Sequence, residues 1–406
     1  MTLHRRQMSL THHLIQPQGA EAEAEADPNP IRSALFQRLH FRYPRTPSTV
    51  STFRSYAAAK TTVTFTANHY AQIYRFPTPT VSRVFAVISL GGGLYGSVRK
   101  GILTGGDVQK YWTQLGIKSQ PVVYIQSVDG ARNFPRSNDD GATIENTIDV
   151  ATIGASCPGN RHIIILYIAP RTFNGFYNAF NAAINGRVTV NGASVRPSII
   201  SCSWGAPEKY WLPADLARFN TLFGVAVANG VNITAASGDY GASNGLPGLN
   251  TDFPSSSPNV IACGGTTLVC PTKKYTDAST RETTWRGSGG GISEIFPKPA
   301  YQSSLAGTKR NTPDVAMVAD PNTGVAFIVG GKTIVVGGTS LVSPALAAYI
   351  GCLAKSPGFI APLLYTNPTC FNDILLGTND GYTAKVGYDN CTGLGSINGV
   401  ALTPRI

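Results

Sequence analysis

From about residue 62 onward, short apolar runs alternate with amphipathic segments, and this alternation constrains the fold more than any other feature of the sequence. The runs are rich in β-branched residues and are bounded by Gly, Pro or Asp, which is typical of strands. They are VFAVISL (84–90), PVVYIQSV (121–128), HIIILYIAP (162–170), SIISCSWG (198–205), NITAASGD (232–239) and NVIACGGT (259–266).

Helix-like segments lie between these runs. Their apolar residues recur with helical spacing in DVQKYWTQLG (107–116), ATIENTIDVATIGA (142–155), GFYNAFNAAIN (175–185) and ADLARFNTLFGVAVANG (214–230). The alternation predicts an α/β fold, a mostly parallel sheet with helices on both faces. A functional site is then expected at the carboxyl ends of the strands. The Gly-, Pro- and Ser-rich region 240–335 is expected to form long loops over the sheet.

Residues 1–61 differ in composition from the rest, because they hold four of the six histidines and the repeat AEAEAEAD. We expect a largely disordered tail or short pre-segment there, and one folded domain over residues 62–406. The beginning of the chain has no continuous apolar stretch of the kind a secretory signal requires. The compartment therefore stays open at this point.

Charge and composition limit the classes of partner that this chain is expected to bind. The net charge is +11, yet no Lys/Arg run or basic-aromatic motif occurs beyond the Arg-rich amino end, so we expect no nucleic-acid partner. No apolar run approaches the roughly 18 residues of a membrane helix, so we expect no membrane partner. We also expect the protein to be a monomer.

The seven cysteines contain no CxxC pair, which disfavours a zinc site. Cys202 and Cys352 lie in apolar segments, where a buried free thiol is the ordinary interpretation. Cys370 and Cys391 flank a Gly/Asp-rich segment and would be able to pair in an oxidising compartment. The sequence leaves that pairing open.

The stretch GGTSLVSPALAA (337–348) contains a candidate nucleophile, Ser340. Its glycines predict a tight turn that delivers the hydroxyl to the start of an apolar helix. The alternative is that Ser340 only caps that helix, which is the commoner role of a serine before an apolar run.

A nucleophilic serine usually needs a histidine as its base. After residue 69 only His162 remains, and it begins a strand, at the edge of the sheet opposite to an active site. We expect it to be an exposed strand-start residue. A histidine-based enzyme would need His162 or His69 close to Ser340.

Carboxylates are the other candidate bases. Glu145 and Asp149 stand four residues apart in DDGATIENTIDVATIGA, so a helix places both on one face, one turn apart. A partly buried pair would share one proton, which would let it act as a general base in acid. The alternative is a solvated helix face.

Asp239, in ITAASGDYGA, follows an apolar strand and is therefore expected at the carboxyl edge of the sheet. If protonated, its carboxyl would donate a hydrogen bond to a developing oxyanion. The alternative is ordinary turn chemistry, because Asp beside Gly is common in loops.

With these four residues in this chain order, the sequence resembles the sedolisin family of serine-carboxyl peptidases from about residue 62 to the end. The motifs that carry the resemblance follow one another in order. They are ANHYAQIYRFP (67–77), VFAVISLGGG, ExxxD (145–149), SCSWGAPE (201–208), SGDYG (237–241), DFPSSSPNVIACGGT (252–266), GSGGGIS (287–293), TPDVAMVADPNTG (312–324) and GGTSLVSP (337–344).

The resemblance implies a subtilisin-like α/β core and hydrolysis of polypeptides through an acyl-enzyme on Ser340. It assigns Glu145 as general base and Asp149 as the group that orients it and shares its proton. Asp239 and the Ser340 backbone N–H would form the oxyanion hole. It further implies activity in acid and an extracellular or acidic compartment.

The segment FNDILLGTNDGYTAKVGYDNCTGLGS (371–396) is similar to the calcium loop of the family. The resemblance implies one structural Ca²⁺, held by the side chains of Asp373 and Asp389 and the carbonyls of Ile374, Lys385 and Gly387. Position 385 is usually glycine in the family. The alternative is a Gly/Asn/Asp loop without metal.

The sequence departs from the family pattern in two further ways. Ser89 stands where many members carry a Glu that extends the carboxyl network near the tryptophan corresponding to Trp204. Only about 60 unlike residues precede the match, where the family usually has a long, folded pro-segment. These departures motivate a competing hypothesis, a catalytically silent relative that serves as a binding or structural module. Specificity is expected to depend on loops at 205–215 and 240–295.

Overall fold

The computed structural model of the chain describes residues 64–137 and 141–406, so the expected tail, 1–61, lies outside them. The described helices are α1 (His69–Ile73), α2 (Asp107–Gln114), α3 (Ala142–Ser156), α4 (Phe173–Asn185), α5 (Pro213–Ala228), α6 (Val342–Cys352), α7 (Ala361–Thr366) and α8 (Gly399–Leu402). All four predicted helices are confirmed, as α2 to α5.

The strands of the described residues run from β1 near the start to β21 near the end. They are β1 (Phe65–Thr66), β2 (Val84–Leu90), β3 (Ser97–Arg99), β4 (Ile102–Thr104), β5 (Val122–Ser127), β6 (Ile163–Ala169), β7 (Val188–Val190), β8 (Ala193–Val195), β9 (Ile199–Cys202), β10 (Ala206–Pro207), β11 (Asn232–Ala236), β12 (Asp252–Phe253), β13 (Ile261–Val269), β14 (Arg281–Thr284), β15 (Gly291–Pro297), β16 (Lys309–Thr312), β17 (Val315–Val318), β18 (Val325–Val329), β19 (Lys332–Val336), β20 (Phe371–Asn372) and β21 (Ser396–Ile397). The six predicted strands are β2, β5, β6, β9, β11 and β13.

Parallel pairing joins seven strands at the centre of the largest sheet, in the order β5-β6-β2-β9-β11-β13-β17. In the middle of this sheet Val87 of β2 is paired with Leu166 on one side and with Ser201 on the other. Antiparallel β14, β4 and β3 extend the sheet at its margins. Parallel strands that alternate with helices place all their carboxyl ends at one edge.

Helices cover both faces of this sheet, and β2 shows the division. Phe85 and Val87 belong to a core with α2, α3 and α6, whereas Ala86, Ile88 and Leu90 belong to a second core with α4 and α5. Successive side chains of a strand point to opposite faces, so a strand that is apolar on both faces has to be covered on both. The predicted layering is therefore confirmed.

The expectation of long loops over 240–335 is wrong in part, because seven strands besides the predicted β13, namely β12 and β14 to β19, lie almost entirely in this region. The hairpin β18–β19 pairs Val329 with Lys332 across a two-residue turn. That turn is Gly330-Gly331, both with positive φ, as the favoured hairpin turns require. Its strands, VAFIV and KTIVV, are rich in β-branched residues. They lie, however, within a Gly- and Pro-rich region whose composition favours loops.

Within the part of the chain that the structure describes, no helix has both the length and the apolar character to cross a membrane. All seven cysteines are buried free thiols. Cys370 and Cys391 are therefore unpaired in the structure.

Candidate active site

The two predicted carboxylates lie in the first half of α3. Neither Glu145 nor Asp149 exposes any surface to solvent, so the alternative of a solvated helix face is wrong. No ion pair joins either carboxyl to a basic group among the described residues, and both Glu145 oxygens and Asp149 Oδ2 lack a hydrogen-bond partner there. Two acidic groups one helical turn apart are thus held in a dry environment.

This environment raises the pKa of both carboxyls well above the ordinary range. For Glu145 the largest cause is burial, followed by the negative charge of Asp149, while the neighbouring Ser340 hydroxyl acts in the opposite direction. For Asp149 burial again raises the pKa and a hydrogen bond from Ser203 lowers it. Removing the second proton would leave two negative charges side by side. The pair therefore retains one proton at pH values above the usual pKa range of carboxyl groups.

Ser340 lies in a short 3₁₀ turn, Thr339–Leu341, immediately before α6. The N-cap of α6 is Leu341, and no side chain caps this helix. The alternative role of Ser340 as a helix cap is therefore wrong. Its Oγ is fully buried and has no hydrogen-bond partner among the described residues, although the Glu145 carboxyl lies close enough for the two groups to affect one another.

The first turn of α6 is fixed to the central strands by polar side chains. Ser343 Oγ lies 2.9 Å from Ser201 Oγ of β9 and 3.1 Å from Thr234 Oγ1 of β11. Thr234 Oγ1 also donates to the Ser343 carbonyl, at 3.0 Å. These bonds place the start of α6, and with it Ser340, over the sheet.

Ser203 connects the two halves of the site. Its hydroxyl lies 2.8 Å from Asp149 Oδ1 and 3.2 Å from the Ser340 carbonyl, and it is fully buried. Sequence reasoning assigned it no role. The signal was its position directly after the apolar run of β9, at the carboxyl edge of the sheet.

Asp239 lies three residues beyond β11 and is bonded to the residue before Ser340. Its Oδ1 accepts hydrogen bonds from both the backbone N–H and the hydroxyl of Thr339, each at 2.8 Å. Gly238 precedes it with a φ of +110°, a backbone conformation that favours glycine. The structure thus brings Glu145, Asp149, Asp239 and Ser340 to one edge of the sheet.

The two histidines in the described ranges are both engaged elsewhere. His69 Nδ1 accepts from the Thr66 N–H at 2.8 Å, and burial, with the charge of Lys273, lowers the pKa of His69 to about 4. His162 is 3% exposed and accepts at Nδ1 from the Arg83 N–H, so the expectation of an exposed residue is wrong. A histidine base for Ser340 finds no support among these residues.

Ser89 is buried in β2 and donates to the Gly91 carbonyl at 3.0 Å. Asn146, the neighbour of Glu145, donates to the same carbonyl at 3.0 Å. The Nε1 of Trp204 has no acceptor among the described residues, and the Arg171 guanidinium lies 5.6 Å from the Trp204 ring. Because residue 89 is a serine, this position adds no third acid to the carboxyl pair.

A cavity of about 470 Å³ opens beside Asp239. Its wall includes Tyr240, Trp285, Arg286 and Asp380. Arg286 Nε and Asp380 Oδ1 form an ion pair at 2.7 Å. Pro321, Asn322 and Asp380 lie outside the two loops that the sequence indicated for specificity. The cavity places space for a bound molecule next to Asp239, one of the four candidate residues.

The carboxyl-terminal loop brings the two predicted calcium carboxylates to one short segment. Asp373 Oδ2 accepts from the Gly387 N–H at 2.8 Å, and Asp389 Oδ2 accepts from the Lys385 N–H at 3.1 Å. Lys385 is not among the residues with positive φ, so a side chain at this position causes no backbone strain. Carboxylate and carbonyl oxygens are ligands that Ca²⁺ prefers, and this donor set fits the ion.

No group of three or more His, Cys, Asp or Glu side chains suited to a metal occurs in residues 64–137 and 141–406. This result leaves the calcium prediction untested, because three of its five ligands are backbone carbonyls.

Comparison with known proteins identifies the family. No family model matches the sequence. Kumamolisin of Bacillus sp. (strain MN-32) is 39% identical over 395 residues, which cover 90% of this chain and 67% of kumamolisin. The chain belongs to the sedolisin family of serine-carboxyl peptidases. Sedolisin of Pseudomonas sp. (strain 101) is 30% identical over 400 residues, covering 86% of this chain and 63% of sedolisin, so the chain spans about two thirds of the length of these relatives.

A solved structure agrees with this assignment. Pseudomonas sedolisin, a serine-carboxyl proteinase complexed with two molecules of pseudo-iodotyrostatin, superposes with a TM-score of 0.67 at 28% identity. The match covers 85% of this chain and 98% of that one. The expected family and its subtilisin-like α/β fold are therefore confirmed.

Proposed function

We propose that this chain hydrolyses peptide bonds through an acyl-enzyme on Ser340, with Glu145 as the general base, in acid. One observation carries the proposal: the buried Ser340 hydroxyl has no hydrogen-bond partner among the described residues, and it lies close to the Glu145 carboxyl, whose two oxygens also lack a partner there. Buried polar groups are rarely left unsatisfied, and such groups at one sheet edge are typical of a reacting centre.

Glu145 removes the proton as Ser340 Oγ attacks the substrate carbonyl carbon, and it returns the proton to the leaving amine. Asp149 orients Glu145 and shares that proton. Ser203 holds Asp149 by its Oδ1, which leaves the other oxygen, Oδ2, to carry the shared proton. A raised pKa suits this exchange because the pair must hold one proton and accept a second.

Asp239 supports the oxyanion that forms during the attack. Both hydrogen bonds from Thr339 fall on Oδ1, so a proton on this carboxyl belongs on Oδ2. A neutral carboxyl of this kind donates to the oxyanion together with the Ser340 backbone N–H. Above the raised pKa of the Glu145–Asp149 pair, the proton that these two carboxyls share is lost. Activity is therefore expected in acid.

Hydrolysis of an unfolded polypeptide by the full chain, from about pH 3 to pH 8, tests the proposal. Ser340→Ala should abolish turnover, and Glu145→Gln should lower kcat by a factor on the order of 10² to 10⁴, the usual contribution of a general base. Tyr167→Phe is the matched control, because the Tyr167 hydroxyl is also buried without a partner among the described residues but belongs to β6, in the core with α4 and α5. It should retain activity.

The same assay also tests the competing hypothesis of a catalytically silent relative. A folded chain with no activity at any pH would support the catalytically silent relative, for which Ser89 is the specific observation. Activity that survives Ser340→Ala would exclude the proposed nucleophile.

We also infer that the loop of Asp373 and Asp389 holds one Ca²⁺, with the carbonyls of Ile374, Lys385 and Gly387. When bound, the ion supplies positive charge to two carboxylates that otherwise accept hydrogen bonds from backbone N–H groups and, at Asp389 Oδ1, from the Thr392 hydroxyl. The two aspartates fix the loop against residues 385–387. The role is structural, since no candidate catalytic residue lies in this loop.

A further inference from the structure

Two buried thiols lie at the ends of the helices that carry the candidate site. Cys157 follows α3, the helix of Glu145 and Asp149, and Cys352 is the last residue of α6, the helix that begins after Ser340. Neither thiol is more than 1% exposed. Because α3 leads into the start of β6, the pair lies at the amino edge of the sheet, opposite to the site.

The two thiols pack reciprocally. Cys352 Sγ lies 3.7 Å from the carbonyl oxygen of Ser156, the residue before Cys157. Cys157 Sγ lies 3.4 Å from the point that a Cβ on Gly351, the residue before Cys352, would occupy. Each sulfur therefore rests on the main chain next to the other cysteine, and the two thiols are close enough for each to shift the pKa of the other.

Basic groups surround this pair. His162 Nε2 lies 3.6 Å from Cys157 Sγ, and its Nδ1 accepts from the Arg83 N–H at 3.0 Å, so Nε2 carries the hydrogen. The Arg83 guanidinium donates to the carbonyls of Leu353 and Lys355 beside Cys352. These contacts, first the thiol of Cys352 and then His162 and Arg83, lower the pKa of Cys157 to about 6, while the pKa of Cys352 is raised.

Cys157 is therefore the more acidic thiol of the pair. A low-pKa thiolate next to a second cysteine is the arrangement that reacts readily with oxidants. The neighbouring chain turns are partly open, since Arg161, Ala354 and Lys355 are exposed. A metal centre is not indicated, because the described residues contain no cluster suited to a metal.

We propose that Cys157 and Cys352 are a reversible redox pair, which hydrogen peroxide converts into a disulfide that joins the ends of α3 and α6. The Cys157 thiolate attacks one peroxide oxygen, the O–O bond breaks, and the hydroxide that leaves becomes water on protonation. Cys352 then attacks the sulfenic sulfur, the S–S bond forms, and a second water leaves. Two thiols lose two electrons to one peroxide, which yields two waters.

Peroxide treatment of the full folded chain, followed by denaturation and titration of free thiols, tests this pair. The oxidised chain should show two thiols fewer than the seven of the sequence, and dithiothreitol should restore them. Mass spectrometry of the digest should show a cross-linked peptide that contains positions 157 and 352. The bond closes a long loop, so the melting temperature should rise by several degrees.

Cys157→Ser should retain its six remaining thiols after peroxide, whereas Cys352→Ser should lose one, because the Cys157 sulfenic acid then has no second thiol to attack it. Cys270→Ser is the matched control, because Cys270 is equally buried but distant in sequence from both helices, and it should still lose two. Retention of all seven thiols by the unaltered chain, or oxidation of Cys157 without a cross-link, would overturn the proposal. Digest mapping of the unaltered chain decides the question even where a variant fails to fold. Thiol counts do not depend on peptidase activity, so failure here is separable from failure of the proposed function.

Discussion

Glu145 and Asp149 show how one helical turn determines the chemistry of two residues. The spacing places both carboxyls on one face of α3, and the packing of α3 against the sheet removes them from water. A carboxylate in a dry environment without a cation is costly, so the native state favours the protonated form. The same effect that suits the pair to acid chemistry makes it a source of pH-dependent instability.

Asp149→Asn should therefore change how stability depends on pH. The pKa of Asp149 is raised in the folded state, so its contribution is fully present below the unfolded pKa of about 4 and is lost as the pH rises. Relative to the variant, the unaltered chain should lose up to about 1.4 kcal/mol of unfolding free energy per pH unit while the native state holds one more proton. Urea unfolding at a series of pH values measures this difference.

Asp277→Asn is the control for this series. Asp277 is only partly buried and hydrogen bonds from Ser279 lower its pKa, so its contribution has the opposite sign and is lost as the pH falls. A pH-independent difference between the unaltered chain and Asp149→Asn would contradict the raised pKa.

Ser203→Ala should impair turnover without removing a reacting group. Ser203 fixes Asp149 through one 2.8 Å hydrogen bond, which also lowers the pKa of Asp149. Its loss should lower kcat more than it changes KM, and should move the pH limb that reports the carboxyl pair toward higher pH. A pH profile of kcat measures both effects. An unchanged profile with normal kcat would show that Ser203 has no role in positioning the pair.

At the scale of elements, the turn before α6 depends on glycine. A Cβ on Gly337 would overlap Pro321 N and the Ala319 carbonyl oxygen, and Gly338 adopts a φ of +130°. These atoms belong to the backbone and have little room to move. The approach of the turn to residues 319–321 therefore decides where Ser340 lies.

Gly337→Ala should destabilise the fold by about 1 to 3 kcal/mol, as overpacking of a filled region does, and should also reduce turnover. Gly224→Ala is the same substitution inside α5, where the new Cβ meets only Asn259 Nδ2, at 3.7 Å. It should stabilise by up to about 1 kcal/mol, because alanine has the higher helix propensity. Thermal unfolding of both variants measures the contrast, and equal effects would contradict the steric account.

Comparison of sequence and structure shows which elements can be inferred and why others cannot. Strands such as β2 and β6 are continuous β-branched runs, so periodicity alone finds them. The short strand β17 is four residues long and follows a proline, and its pairing with β13 is non-local. His162 is buried because the loop of Gly159 closes on its ring, and no local pattern predicts such a closure.

The same reasoning applies to the site. The chain order of Glu145, Asp149, Asp239 and Ser340 is readable from the sequence, since each lies near a predicted strand or helix boundary. Ser203 and Thr339 act through hydrogen bonds to partners more than 50 residues distant. A single sequence contains no signal for such partners beyond their place at the carboxyl edge of the sheet.

In the whole molecule, the predicted Ca²⁺ would help to hold the carboxyl-terminal loop to the rest of the domain. Removal of Ca²⁺ with a chelator should lower the melting temperature, because a ligand that binds only the native state stabilises it by RT ln(1 + [L]/Kd). Asp373→Asn should abolish that difference. Asp389→Asn should destabilise the apo chain as well, since Asp389 Oδ1 also accepts the N–H groups of Cys391 and Thr392, each at 2.9 Å. Melting temperatures that are equal with Ca²⁺ and with chelator, in a chain of normal stability, would favour a loop that is held by these hydrogen bonds alone.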